Sequence, residues 1–400
     1  MIRPLAAKLS APLLVILGLI GVLGPFGTDI YLPAFPQMAR DLGTTPSGIQ
    51  LSLSGFTVGM AVGQLVLGPT SDRFGRKPIV AFGTLLMCVA SYLASVSSQL
   101  WLLILCCVFI GVAAAAGQVC GRAIVSDLAV GNQASRGFSL MGLVTGLGPI
   151  VAPIAGAGIL VFSDWRGIFL ALGLMAAVLA ALAFVAVPET LTKANRHSGG
   201  LAAQFGAVGQ VFANRNFRTH ATILWAGFGM MFAYISASPF VLEEIYGMTP
   251  FEYTLDFGAN GIAMMVTGLL AAQLVNRLGP LRLILLGVAM QVAGALLLVV
   301  VWVFGVQNPW PVLIAFALIP SSLGFVFGPV TALGLRELRH IAGSAMAVQG
   351  SVQFVFAGIT AFLVGLGGST AMGPLALVLA GLAAVAIGAL MAARRLVTNR

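Results

Sequence analysis

Long apolar runs, each about twenty residues and separated by short polar or glycine- and proline-bearing breaks, constrain this chain more than any other feature. Twelve are present, at about 13–36, 48–68, 79–98, 100–122, 138–161, 166–188, 220–243, 256–276, 282–305, 311–333, 342–366 and 373–393. A helix of about 20 residues crosses a ~30 Å hydrocarbon core. In lipid every backbone N–H and C=O must be paired within the protein, so only helices or a closed barrel can span. The runs are continuous and do not alternate every second residue, which excludes the barrel. Only 8% of the residues are charged, against about 25% in an ordinary soluble protein. The predicted class is an all-α integral membrane protein of twelve transmembrane helices, with both termini on one side.

Charge sets the orientation. Lys and Arg are enriched in cytoplasmic loops. With the termini inside, 18 of the 20 basic residues fall on the cytoplasmic side, leaving Arg40 and Arg166 outside. The reverse orientation inverts that count, so cytoplasmic N and C termini are expected. The net charge of +9 is then a topology signal and needs no nucleic acid as partner. Residues 189–219 read as a cytoplasmic linker between an N-terminal six-helix bundle, 1–188, and a C-terminal one, 220–400. Within the linker Leu201, Phe205, Val208 and Phe212 recur at helical spacing, which predicts a short amphipathic helix on the membrane surface.

Several chemistries find no support. Cys88, Cys106, Cys107 and Cys120 all lie inside apolar runs without metal-ligand spacing and read as packing residues. His197, His220 and His340 lie away from carboxylate clusters, so no metal site is expected. There is no G-x-x-x-x-G-K-[ST] phosphate loop, which leaves ATP drive unsupported, and no enzyme signature. The first run has no A-x-A cleavage site and reads as a retained span.

The two halves repeat. Gly68-Pro-Thr-Ser-Asp72-Arg73-Phe-Gly75-Arg76-Lys77 follows the second span, and Gln273-Leu-Val-Asn276-Arg277-Leu278-Gly279-Pro-Leu-Arg282 follows the eighth. Pairing Asp72 with Asn276 also pairs Arg73 with Arg277 and Gly75 with Gly279, an offset of 204 residues. A parallel two-half repeat predicts a binding site between the halves near the midplane.

The run Gly68-x-x-x-Asp72-Arg73-x-Gly75-Arg76-Lys77 resembles the loop 2–3 signature of the major facilitator superfamily. Asp72 can pair with a basic group on a neighbouring helix end, and the glycine permits a tight turn, so Gly68, Asp72, Arg73, Gly75, Arg76 and Lys77, with Arg122 at the end of span 4, are candidate cytoplasmic-gate residues. Thr28-Asp29-Ile-Tyr31-Leu-Pro33, Arg122-Ala-Ile-Val-x-Asp127-Leu, Tyr234-Ile-Ser-x-Ser238-Pro239-Phe, Trp165-Arg166-x-x-Phe169 and Pro188-Glu189-Thr190 are similar to segments of the Bcr/CflA group of drug:proton antiporters. So is Gly148-Pro149-Ile-Val-Ala152-Pro153-x-x-Gly156-Ala157, in which Gly148, Pro149, Pro153 and Gly156 form a helix-bend antiporter motif. The resemblance implies two pseudo-symmetric six-helix bundles of the major facilitator fold, in a bacterial inner membrane. It also implies a monomer that exports small amphipathic, apolar or cationic drugs, with protons as counter-substrate and the proton gradient in place of a cofactor. Relatives carry an arginine near position 107 and a glutamine near 110. Cys107 and Ile110 stand there in this chain, so the family's proton relay does not transfer directly.

Asp29 is the acid placed well inside a span, and an ionisable group within the membrane is functional by default. It shares a helical stripe with Gly18, Gly21 and Pro25, expected to border a cavity. There it could hold a proton or a cationic drug, but not both comfortably, and that competition would supply exchange. Counting from Leu13 puts it about 24 Å along the helix, in the outer half. Tyr31, Gln118, Tyr234, Ser238, Asn260, Gln349 and Gln353 are candidate substrate contacts. Glu243 and Glu244 read as solvated outer-rim groups, and the Met230-Met231-Phe232 and Met264-Met265 runs as packing. Two alternatives stay open: export of one narrow substrate such as a sugar, an amino-acid derivative or a phenicol, with weak or different coupling, and a transport-dead membrane sensor.

Overall fold

The structure, a computed structural model, describes residues 10–129, 132–191, 208–338, 341–366 and 372–398. Among these, twelve helices are long and apolar enough to cross a membrane. They are α1 (Ala11–Asp41), α2 (Pro46–Phe74), α3 (Arg76–Ser95), α4 (Leu100–Leu128), α5 (Leu140–Leu160) and α6 (Trp165–Ala186) in the first half. The second half holds α7 (Arg215–Ile245), α8 (Pro250–Leu278), α9 (Pro280–Phe304), α10 (Trp310–Glu337), α11 (Ser344–Gly365) and α12 (Met372–Arg395). No strand occurs among the described residues.

The repeat is longer than the loop signature that reveals it. α2 and α8 each have 29 residues, and both ends are offset by the same 204 positions. Thr45 and Thr249 cap them, each side-chain oxygen accepting from a backbone N–H in the first turn. Proline follows each threonine, where the missing N–H costs nothing. Gly43 and Gly247 precede the caps, and Gly75 and Gly279 close the helices, all four with positive φ, the region open to glycine at little cost. The matching Gly-x-Thr-Pro starts were readable in the sequence and strengthen the two-half division.

Prolines decide where the helices depart from regular form. Pro33 has no N–H to give the carbonyl of Asp29, and α1 leaves α-helical geometry there, passing through a tight turn at Leu32–Ala34 before resuming to Asp41. The span therefore extends five residues beyond the apolar run, and Asp29 lies three residues past its middle, about 4.5 Å. α5 is broken within its length. Asn132–Gly146 and Gly148–Leu160 meet at Leu147, because Pro149 cannot continue the hydrogen-bond ladder. α7 ends in a wider π turn at Phe240–Ile245 after Pro239.

The linker is shorter than 189–219. Asn214 accepts from Phe217 N at 2.8 Å and caps α7, so the helix starts at Arg215. Of the expected amphipathic helix, Leu201 and Phe205 lie outside the described residues, as do Arg3, Lys8, Lys193, Arg196, His197, Arg339, His340 and Arg400. The part from 208 to 213 is helical, and Val211 is buried against Phe217, Ala221 and Trp225 of α7 and Ala345 and Val348 of α11. That face packs on protein.

The halves meet along α2 with α11 and α5 with α8. Gln50, Thr57 and Gln64, seven residues apart on α2, sit against Gly365, Gly358 and Gly350 of the antiparallel α11, and a Cβ at any of these glycines would collide with the facing side chain. At the end away from the basic loops, Gln50 Nε2 donates to Ser236 O at 2.9 Å and Ser54 Oγ to Gly358 O at 3.2 Å. Ser47 Oγ bonds Gly365 O in the same region, and Phe35 meets Phe240 with ring centres 5.9 Å apart. The halves are pinned together at this distal end.

Candidate substrate cavity

Below the pinned end a cavity of about 280 Å³ lies between the halves. Both contribute to it: Asp29, Phe56, Gln64, Gln118 and Arg122 from α1, α2 and α4, and Tyr234, Asn260, Gln349 and Gln353 from α7, α8 and α11. Apolar and aromatic side chains fill the rest. Phe228, Phe232 and Phe354 form one cluster with ring centres 5.0, 5.3 and 6.1 Å apart. Tyr234 stacks on Phe257 at 5.8 Å and contacts Phe316 at 4.8 Å. An apolar wall with a few placed polar groups is the usual form of a small-molecule site.

Asp29 is 4% exposed and, among the described residues, forms no ion pair with a Lys or Arg. A carboxylate held in a low-dielectric site without an opposite charge beside it is costly, and it sits where the α-helical part of α1 ends, the negative end of the helix dipole. A proton or a bound cation relieves both. The stripe of Gly18 and Gly21 does not border the cavity: these glycines face Val144 and Thr145, so they let α1 close on the broken helix of α5. Pro25 does line the cavity and packs on Gly148. Gln118 reaches over Gly24, where a side chain would obstruct it. Gly156 lies so close to Ile30 O that a Cβ there would clash, and Pro149 forms part of the cavity wall. The helix-bend residues thus seat the helix that carries Asp29.

The structure brings together Asp29, Gln118, Tyr234, Asn260, Gln349 and Gln353, and leaves Tyr31 and Ser238 outside the cavity. Tyr31 is fully buried between Phe35 and Phe169, with ring centres at 5.4 and 5.1 Å. Ser238, one turn beyond Tyr234 on α7, is buried above the cavity within 3.4 Å of Tyr253 OH. Cys107 is buried beside Tyr31 and Ser52, so its position does not open onto the cavity. Of the two methionine runs, Met231 and Met264 line the cavity, as Met60 and Met346 do elsewhere; Met230 is core, and Met265 is partly exposed.

At the basic end, Asp72 pairs with Arg76, the first residue of α3, at 2.6 Å, and Arg76 Nε meets Asp127 of α4 at 3.2 Å. Arg76 Nη1 also donates to Ser71 Oγ at 2.6 Å, its backbone N–H donates to Glu189 after α6 at 3.0 Å, and Thr190 Oγ1 donates to Asp127 at 2.7 Å. Lys77 lies over the Phe184 ring at 5.4 Å, Arg73 over Phe74 at 5.3 Å, and Gly68 approaches Val119 of α4. This network ties α2, α3, α4 and α6 of one half. Arg122 is not in it; it lines the cavity instead.

Twelve membrane-crossing helices in two repeated halves, with a polar-studded cavity between them, define a multi-pass membrane transport protein. The Major Facilitator Superfamily model matches residues 17–361, and the chain belongs to that family of transporters. It is 32% identical over 362 residues to an uncharacterized MFS-type transporter, YdgK, of Bacillus subtilis, covering 89% of each chain. It is 30% identical over 361 residues to the bicyclomycin resistance protein homolog of Haemophilus influenzae, covering 87% of each. It is 28% identical over 368 residues to the multidrug resistance protein MdtL of Shewanella oneidensis, covering 92% of each. Among solved structures, the fold matches a bacterial homolog of the human lysosomal transporter Spinster with a TM-score of 0.74 at 14% identity, over 98% of each chain.

Proposed function

We propose that the protein exports small amphipathic, apolar or cationic drugs from the bacterial cytoplasm across the inner membrane, in exchange for protons, by alternating access. The observation that carries this reading is Asp29: an unpaired intramembrane carboxylate in the wall of an aromatic- and methionine-lined cavity between two repeated halves. Aromatic faces and adaptable methionines accept varied apolar surfaces, and the carboxylate holds either a proton or a cation. The names of two relatives, concerned with bicyclomycin and multidrug resistance, support drug export. With both termini cytoplasmic, as the basic loops indicate, the pinned end is periplasmic and the described conformation is closed on that side. The Asp72–Arg76–Asp127 network then acts as the cytoplasmic brace that keeps the first half rigid as the halves rock.

Arg122 supports a second reading. A guanidinium in the same wall as Asp29 suits a neutral or zwitterionic substrate with acceptor groups, such as a phenicol, better than a simple cation. A susceptibility panel in an efflux-deficient host, with and without the protein, separates the two. Resistance to several lipophilic cations supports the first, resistance confined to phenicol-like compounds supports the second, and no change in any susceptibility contradicts both.

A further inference from the structure

The transport reading leaves the acid within α8 unused. Asp256 lies on α8, six residues inside the helix and about 9 Å along it. It is half-buried and stands behind the cavity wall. Its Oδ2 accepts from Asn260 Nδ2 at 3.0 Å, and the same nitrogen donates to Tyr234 OH at 3.1 Å. Asn260 and Tyr234 both line the cavity. An amide nitrogen has two hydrogens, and these two contacts use both. That leaves the amide oxygen of Asn260 as an acceptor, and leaves Tyr234, which has accepted, with its own proton to donate.

The orientation of this amide follows from the chemistry of its neighbour. An ionised carboxylate only accepts, so the nitrogen of Asn260 must face Asp256. A protonated carboxyl gains a donor, and the oxygen of Asn260 becomes its better partner. The amide then turns over. Its oxygen accepts from Asp256 and from Tyr234, and its nitrogen takes the place the oxygen held.

We propose that Asp256 is a second proton-binding carboxyl, in the C-terminal half, whose protonation reverses the hydrogen-bonding sense of the Asn260–Tyr234 face of the cavity. Ionised, the amide of that face accepts; protonated, it donates. The proposal rests on the cavity being the substrate site. The titratable groups nearest Asp256 are Tyr234 from α7 and, one turn back on its own helix, Glu252 and Tyr253; Asp29 from α1 and Glu243 from the π turn, next to Glu244, act on the Tyr234–Tyr253 pair beside it. The stretches of α5 and α10 packed on α8 carry none, and no ion pair involves Asp256 among the described residues. Asp29 sets the charge of the cavity; Asp256 sets which substrates with amino or hydroxyl groups it prefers.

Two cations separate these roles. Ethidium carries amino donors, whereas tetraphenylphosphonium has no hydrogen-bonding group. Binding of each to the purified full-length protein in nanodiscs is measured from pH 5.5 to 8.5. Protonation of Asp29 weakens both. Ethidium should weaken by a further roughly five- to tenfold relative to tetraphenylphosphonium, the worth of one net hydrogen bond. In Asp256→Asn the ratio of the two affinities should stay constant within about twofold across the range, and Asp256→Glu should restore its movement at a displaced midpoint. A ratio that is flat in the wild type overturns the proposal without recourse to any variant, and so does one that moves undiminished in Asp256→Asn. If Asp256→Asn binds neither cation, the displaced midpoint in Asp256→Glu decides, an unmoved midpoint counting against. If the wild type binds neither, the substrate-cavity reading itself fails, a result distinct from a flat ratio.

Discussion

Tyr31 and Tyr234 illustrate what position does to one side chain. Each is a buried tyrosine on a helix next to the cavity, yet Tyr31 packs inside the first half against Phe35 and Phe169, whereas Tyr234 presents its ring and hydroxyl to the cavity and bonds Asn260. The hydroxyl of Tyr31 has no hydrogen-bond partner among the described residues, so Tyr31→Phe should leave drug export within about twofold of wild type. Tyr234→Phe removes a group that holds Asn260, and export of donor- or acceptor-bearing drugs should fall roughly fivefold or more. Efflux assays on the two variants at matched expression check this, and equal losses would mean the cavity assignment is wrong. The sequence showed both tyrosines as polar groups in apolar helices, but could not show which way each points. Asp256 is hard to single out from sequence for a related reason: the apolar run begins at residue 256, and only the cap at Thr249 shows that its carboxyl lies a turn and a half inside the helix.

At the scale of elements, glycines govern how the halves meet. Gly350, Gly358 and Gly365 let α11 lie against Gln64, Thr57 and Gln50 of α2. A valine at Gly358 would clash with Thr57, and overpacking of this kind costs about 1–3 kcal/mol, enough to shift a two-state balance roughly five- to a hundredfold. Gly358→Val should therefore open the pinned end. Labelling of a single cysteine placed at Ser54 should rise with it; unchanged labelling would show that this seam does not control the balance. The brace at the basic end predicts a different defect. Asp72→Asn removes one of the two carboxylates on Arg76, and turnover should fall several-fold while drug affinity changes less than twofold. Weaker binding with normal turnover would contradict the brace. The bend in α5 was legible, since Pro149 and Pro153 act locally; helix limits were less so, because polar caps carry several helices up to six residues beyond the apolar runs that mark them.

For the whole molecule, the sequence carried the number of spans, the basic-loop pattern and the repeat, because lipid solvation and topology leave traces along the chain. What it could not carry is which face of each helix turns inward. Lipid is as apolar as a protein core, so hydropathy does not separate them: the most apolar 18-residue stretches of α7 and α8 have similar hydropathy, 1.3 and 1.5, yet 89% of the first and 17% of the second are buried. The cavity consequently had to be found in three dimensions, and its walls include Phe228, Phe232 and Phe354, which no pattern distinguished from lipid-facing phenylalanines. In the proposed exchange, Asp29 is the point where proton and drug compete. The direct measurement is drug movement in proteoliposomes under an imposed pH gradient, with wild type and Asp29→Asn compared. The wild type should accumulate a lipophilic cation against its gradient only when protons can flow the other way, and Asp29→Asn should lose that dependence, retaining at most downhill movement. Gradient-driven accumulation that persists unchanged in Asp29→Asn would contradict it.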